Sequence, residues 1–445
     1  MKQRLFFCAD LGTSSLKAAL IDNAGRLRGF ARVPFINAES APSWLEAFNH
    51  AAEQLAAAAV PGIESGSLCP VSALIISGNG PTLVPVKWNA PEGNGLPKGE
   101  ISPSGAPESL RPIFWYDSIP APETEAPSNE SVSSFFLPKV KASLAADPQA
   151  FAGVRYFFSS QEWLSWKLGA RPVTVLPHDG YVPYYWDDDQ CQKLGIGREL
   201  FPPFATMGEA IGEVHPAAPV KGGLAGKLLS PGIPIIAGAA DFIMALAGTA
   251  TLEPGMACDR TGSSEGINVC ASAVPAAPAA SRNIKGAQPP NVPLRILPHV
   301  RPGLWNLGAV IPQSGMLLDK YRSSSGQDEK PYNELVRSIF ADPSHPGKIV
   351  LETIGRSFVK ALDDLESAGL TVHELTLSGG QCADPLWNQY KADISGRILR
   401  VPEIIHAELA GNALLCEAAF SGKSITEKAP EMIRVRETFT PKDSL

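Results

Sequence analysis

The sequence predicts an α/β protein of two domains, and three observations carry that expectation. At 445 residues the chain is longer than one hydrophobic core ordinarily serves. Apolar runs of strand length alternate with stretches of helical spacing along most of it. One short pattern also occurs twice, about half a chain apart: CADLGTSSLKAAL at 8–20 and CDRTGSSEGINV at 258–269. In both copies an apolar strand meets Gly and hydroxyl residues, and apolar residues then resume. A duplicated pair of domains would place them this way.

Taken in order, residues 4–9 and 16–21 read as strands, and DNAG (22–25) turns into RLRGFARVPF, giving a three-stranded meander. Residues 43–60 have helical spacing, with Ser43 as the candidate N-cap. VSALIISGNG (71–80) is a buried strand ending in a glycine-rich turn. The Pro-, Ser-, Gly- and Glu-rich stretch 88–135 reads as a long surface excursion around IFWYDSI, and 272–293 as a second one. Helical spacing returns over 139–169. IPIIAGAADFIMALAGTA (233–250) is a strand, a small-residue turn and a helix opening near Asp241. Residues 373–396 give a strand, a Gly-Gly turn and a helix with Asp384 as N-cap and Pro385 at its first position.

Composition excludes several classes. A net charge of −7 and the lack of any Lys/Arg-rich block argue against nucleic acid. No apolar run approaches the ~20 residues a membrane span needs, and the four-residue run before Asp10 is too short for a signal peptide. The seven cysteines (8, 69, 191, 258, 270, 382, 416) form no CxxC pair, which suits buried thiols in a reducing compartment. A cytoplasmic protein is expected. The seven histidines show no metal spacing, Asp187–Asp189 reads as a solvated loop, and Trp163 and Trp166 read as core.

The chemistry lies in the loops. Backbone N–H groups at a tight Gly turn point outward together and form an anion-binding nest, to which Thr13, Ser14 and Ser15 add small donors. An ordinary hairpin turn is the plainer reading of one such loop. Neither loop is a Walker A, because a strand and not a helix follows each. The chain's Gly-Lys-Ser (422–424) has Glu417 where the upstream glycine belongs, and reads as a helix C-cap. Asp241, after a strand and opening a helix, is either an N-cap or a carboxylate facing substrate; Asp10 is either a turn-opening residue or a cation ligand.

The Asp10-Leu-Gly-Thr-Ser-Ser loop, AGAADFIMALAGTATLEPGMACDRTGSSEG and LSGGQCADPLWNQYKADISGR, in this order, resemble the FGGY carbohydrate kinase family. PKVKASLAADPQAF, SSQEWLSWKLG and HAELAGNALLCEAAFSGK extend the resemblance over most of the chain. It implies an α/β fold of two ribonuclease H-like (actin-like ATPase) domains flanking an interdomain cleft, 1–246 binding sugar and phosphate and 247–445 binding nucleotide. ATP and Mg²⁺ are then the cofactors, with Asp10 as the metal residue. Asp10, Gly12, Thr13, Ser14, Ser15 and Lys17 fall at the phosphates from one domain, and Gly262, Ser263 and Ser264 from the other. Gly379, Gly380 and Asp384, with Gly315 nearby, fall at the adenosine. Asp241 falls at the general base. Asn79, Gly80, Trp115, Asp117 and Asp241 are the substrate-binding candidates.

The sugar half departs from the family pattern. Ser77-Gly78-Asn79-Gly80-Pro81 stands where Ser-Gly-Gln and polar residues are common, and Trp115-Tyr116-Asp117-Ser118-Ile119 where Trp-x-Asp-x-Arg is common. Phe242 follows the candidate base in place of an amide, Gln161 replaces an Asp, and the stretch between LLDKYRSSSG and IVLETIGRSF is short. The expectation is an ATP-dependent kinase of a small sugar, ketose or polyol, with no nucleic-acid or membrane partner and a homodimer left open. The alternatives are a non-catalytic nucleotide- or sugar-binding sensor derived from the same family, and a chaperone- or filament-type ATPase.

Overall fold

The computed structural model describes residues 3–59, 71–87, 108–117, 133–216, 218, 224–262, 264–274, 294–312 and 314–442. Most of the two expected surface excursions lies outside these residues, as do Ser263, Ser118 and Ile119. The chain forms two compact units, Met1–Met244 with Asn412–Lys428, and Ala245–Gly411 with Ala429–Leu445.

In the first unit, β1 (Leu5–Leu11), β2 (Ser15–Asp22) and β3 (Leu27–Pro34) make the expected antiparallel meander. Nearly every residue of β1 and β2 is buried, whereas β3 alternates outward and inward as an edge strand does. Helix α1 (Ala41–Ala59) starts two residues before Ser43. Ser43 is therefore not its N-cap; its hydroxyl accepts the Asn37 amide at 3.1 Å and closes the preceding loop. Strand β4 (Ala73–Gly78) runs parallel to β1, with Asp10 opposite Ser77 and Leu11 opposite Gly78.

An insertion follows. β5 (Leu83–Lys87), β6 (Glu108–Ser109), α2 (Leu137–Ala146), β7 (Val154–Ser159) and α3 (Ser160–Leu168) form a small sheet with two helices. β8 (Thr174–Leu176), α4 (Val182–Tyr185), α5 (Asp188–Leu194) and β9 (Phe204–Thr206) continue it. Asp187 is no loop residue: it caps α5 through the Gln190 amide at 2.8 Å. β10 (Ala210–Glu213), α6 (Leu224–Leu228) and β11 (Pro234–Ile236) return to the main sheet, whose order is β10-β11-β4-β1-β2-β3. Helix α7 (Asp241–Gly248) follows. Trp163 is buried in the core, edge-on to Trp44, as expected, whereas Trp166 is only partly buried and packs against that core, stacked on Phe158.

The second unit repeats the plan. β12 (Ala257–Thr261) and β13 (Glu265–Ala271) form a hairpin, and β14 (Arg295–Pro298) and β15 (Trp305–Ile311) extend it. α8 (Ser314–Ser324), α9 (Tyr332–Ala341) and α10 (Lys348–Ser367) precede β16 (Glu374–Gly379), which is parallel to β12. α11 (Pro385–Ser395), β17 (Ile398–Pro402), α12 (Ala407–Ser421), α13 (Ile425–Met432) and β18 (Val435–Phe439) complete the chain. The sheet order is β14-β15-β13-β12-β16-β17-β18. Arg260 faces Ser378 and Thr261 faces Gly379, the register that Asp10–Ser77 and Leu11–Gly78 have in the first unit. The duplication therefore reaches beyond the two hairpins to a Ser-Gly strand end in each unit.

From Asn412 onward α12 packs in the first unit. Phe7, Ala9 and Leu11 face the core that α1 covers, so Phe6, Cys8 and Asp10 face the other way by strand alternation. On that side Phe6 meets Phe420 at 6.0 Å between ring centroids, and Arg4 clasps Glu417 through Nε at 3.0 Å and Nη2 at 2.8 Å. The described cysteines (8, 191, 258, 270, 382, 416) are buried and free; Cys69 lies outside the described residues. Among the described residues no helix is long and apolar enough to cross a membrane. Glu417→Ala leaves a partly buried Arg4 and a buried Lys428 without their carboxylate, and is expected to cost about 2–3 kcal/mol of stability, read from the urea midpoint at constant slope.

Candidate active site

Three parallel strands of the first unit, β11, β4 and β1, end at one edge, where open α/β sheets bind their ligands. Asp10 lies there, 2% exposed, its Oδ1 accepting from Ser77 Oγ at 2.9 Å and its Oδ2 paired with Lys17 Nζ at 3.1 Å. Asn412 donates to Ala9 O at 2.9 Å and to Ser77 Oγ at 3.1 Å, and so ties α12 to the same corner. The Gly12 amide donates to Ser15 O at 3.1 Å and closes the hairpin, leaving Thr13 and Ser14 exposed at its tip. Ser15 is buried, with its hydroxyl accepting from Arg32 Nε at 3.1 Å; it braces the loop from behind.

Gly78 bridges Ala240, which places Asp241 on this edge about two strand spacings, roughly 10 Å, from the Gly12 turn. Asp241 is half-buried at the start of α7, and its Oδ1 accepts the Phe242 amide at 2.6 Å. Asn79, expected to meet substrate, is turned inward: 5% exposed, it donates from its amide to Leu11 O (2.8 Å) and from Nδ2 to Gly12 O (3.3 Å). It supports the hairpin. Gly80 is kept small by Ala240, whose Cβ would lie 3.2 Å from an added methyl. Gln161 is buried beneath, accepting from Ser160 Oγ.

Further along this unit, Trp115 is 44% exposed and stands edge-on to Tyr116. Asp117 accepts from Arg111 Nη1 at 3.0 Å and from the Phe114 amide at 2.9 Å. Burial alone would raise its pKa, but those hydrogen bonds and the charges of Arg111 and Lys139 hold it below the usual carboxylate range. The sequence does not single out Arg111, because the family pattern puts a guanidinium after the aspartate and this one comes six residues before Asp117.

The second unit's hairpin is closed in the same manner, the Gly262 amide donating to Ser264 O at 2.9 Å, with Gly262 and Ser264 exposed. Ser263 lies outside the described residues. Gly379 ends β16 at φ +93°, and an added Cβ would run into the Thr261 carbonyl. Gly380 has open space around it. Asp384 is the N-cap as expected, its Oδ1 accepting from Leu386 N at 2.9 Å and Trp387 N at 3.1 Å; at 1% exposed, the carboxylate holds the turn and does not face outward. Gly315 is buried in the first turn of α8.

Behind this hairpin lies a cluster the sequence did not announce. Lys391 Nζ stands 2.7 Å from Asp259 Oδ2 and 2.5 Å from Glu265 Oε1, all three side chains at most 1% exposed. Burial, reinforced by the neighbouring Glu265 charge, pushes the Asp259 carboxyl up to about 7. Burial alone would lower Lys391, but the two carboxylates outweigh it and keep the ammonium charged. Among the described residues no cluster of His, Cys, Asp and Glu is arranged to hold a metal by itself.

Residues 342–420 match the FGGY family of carbohydrate kinases, C-terminal domain. The glycerol kinase of Delftia acidovorans is 26% identical over 97% of this chain and 94% of its own. The chain is similar to the FGGY carbohydrate kinases, and its residues 342–420 match the C-terminal domain of that family. The xylulose kinase of Bacillus subtilis, another relative, is 22% identical over 74% of each chain. The crystal structure of xylulose kinase from Rhodospirillum rubrum matches with a TM-score of 0.67 at 16% identity, over 99% of this chain and 95% of that one, a likeness of fold. The α/β fold is thus one that carbohydrate kinase structures share.

Gly379→Ala in this FGGY fold is expected to destabilise by about 3–5 kcal/mol, because both the positive φ and the Thr261 carbonyl oppose a side chain; denaturant unfolding checks it. Asp259 gives a pH signature. Its carboxyl keeps its proton in the folded chain up to about 7 but loses it near the ordinary 3.8 when unfolded, so its contribution to stability falls as pH rises from about 4 to about 7 and is level above. Unfolding of the wild type and Asp259→Asn at pH 5 and pH 8 should show the variant gaining on the wild type at pH 8.

Proposed function

We infer that the chain transfers the terminal phosphoryl group of ATP to a hydroxyl of a small polyol or ketose. The observation that carries this is the shared edge of the first sheet: the Gly12 hairpin, the Asp10 carboxylate and Asp241 lie at the ends of three neighbouring parallel strands. The known relatives act on glycerol and xylulose by name, which supports a small polyhydroxy acceptor.

Phosphoryl transfer asks a protein mainly for positioning, charge compensation and a group to take the hydroxyl proton. Asp241 suits the last of these as a half-buried carboxylate at a helix start, oriented by the Phe242 amide. The amides and hydroxyls of Thr13 and Ser14, at the tip that Gly12 closes, would take phosphate as an anion nest, and Ser263 and Ser264 at the tip that Gly262 closes would form a second one. Lys17, next to the Gly12 hairpin, adds a cation there. Gly379 and Gly380, without side chains, allow adenosine to approach the backbone, with Asp384 and Gly315 shaping the turns beside them. Asp10 fits Mg²⁺ as a single hard-oxygen ligand held by Ser77, in a site where water and phosphate would supply the other ligands. Bound there, the ion would offset charge on the phosphates. Trp115 and Asp117 would contact the acceptor, with Arg111 fixing the Asp117 carboxylate. No observation favours a non-catalytic sensor.

Asp241→Asn is expected to lower kcat by about 10²–10⁴-fold while leaving ADP affinity within about two-fold of the wild type. Coupled ADP release over a panel of polyols and ketoses measures the first, and calorimetric titration the second. An absence of turnover with every acceptor, in a chain that binds ADP, would remove the catalytic reading.

A further inference from the structure

Lys391 sits at the centre of the second unit in a way its charge makes costly. Its ammonium touches Asp259 on β12 and Glu265 on β13, each three residues from Gly262, so it joins the two arms of the hairpin just behind the tip. It also lies over the Phe358 ring of α10, 4.3 Å from the centroid, a favourable place for a desolvated cation. The second oxygen of Glu265 accepts from Ser314 Oγ at 2.6 Å, and Ser314 in turn accepts from Gln381 Nε2 at 3.4 Å. One buried cation therefore links the hairpin, the start of α8 beside Gly315, and the turn that follows Gly379 and Gly380.

Such a network is a poor device for stability. Two carboxylates share one ammonium, and Asp259 Oδ1 is buried with no hydrogen-bond partner among the described residues. Apolar residues of the same volume commonly match or exceed the stability of a buried ion pair, whereas the fixed geometry of charged partners can specify a single arrangement. We propose that Lys391 is a positioning residue for the nucleotide, its ammonium locking both arms of the Gly262 hairpin to α11 so that the tip amides are set before a phosphate arrives. Preorganised donors bind an anion without first being ordered, and affinity rises accordingly. The inference rests on reading that hairpin as a phosphate loop.

Lys391→Met strands two buried carboxylates, so the deciding variant combines Asp259→Asn, Glu265→Gln and Lys391→Met and buries no charge. ADP affinity is read by calorimetry, and KM for ATP and for whichever of glycerol and D-xylulose is phosphorylated by a coupled assay. The combined variant should unfold cooperatively, with ADP Kd and ATP KM raised at least ~10-fold and the acceptor KM within about two-fold of wild type. Wild-type ADP affinity in the folded variant overturns the proposal, as does an acceptor KM that rises in step with that for ATP. A variant that no longer folds cooperatively also overturns it, since the network then serves the fold. A wild-type chain that binds no ADP removes the phosphate-loop reading itself.

Discussion

Parallel pairing in a fixed register governs both units. Because β4 lies beside β1 with Ser77 opposite Asp10, and β16 beside β12 with Ser378 opposite Arg260, each Ser-Gly strand end stops level with the turn of its hairpin. A shift of one residue would turn every side chain to the opposite face. Asp10 would then leave Ser77, and the Gly379 backbone would no longer fit against Thr261. The hydrogen bonds that close each tip, Gly12 N to Ser15 O and Gly262 N to Ser264 O, belong to the antiparallel hairpins themselves.

Within that common frame the two units have diverged in charge. At matching positions the first unit carries Asp10 and the second Arg260; the first carries Ala9 and the second Asp259, with Glu265 where the first has Leu16. The first hairpin is braced by neutral or surface-reaching groups, Asn79 and Arg32, while the second is braced by a buried cation. The same backbone geometry is thus supported in two chemically different ways. Asp10 and Lys17, adjacent across the β1–β2 hairpin, keep a charged pair near the first tip, and the second tip has its charges behind it.

Much of the fold was legible because it rests on short-range signals. Gly-hydroxyl tips between apolar runs, the Ser-Gly strand end at 77–78 and the Asp384-Pro385 helix start each declare themselves within a few residues. The misreadings have local causes too. Ser43 has the chemistry of a cap, but α1 begins at Ala41 and Pro42. The three aspartates at 187–189 look like a solvated run, yet the first is a cap. What the sequence hid depends on distance along the chain: Lys391 reaches carboxylates more than 120 residues away, and Asn412 reaches Ala9 across 403. Residues that meet only after folding leave no spacing to read.

The path of the chain carries a further implication. The first unit is built from Met1–Met244 but completed by Asn412–Lys428, a segment synthesised only after most of the second unit. Until it emerges, the face of β1 bearing Phe6 and Cys8 lacks Phe420 and its neighbours, and Arg4 lacks Glu417. A ribosome would therefore hold residues 1–244 with an uncovered greasy surface until that segment appears, and a fragment cut after residue 244 would inherit that surface permanently.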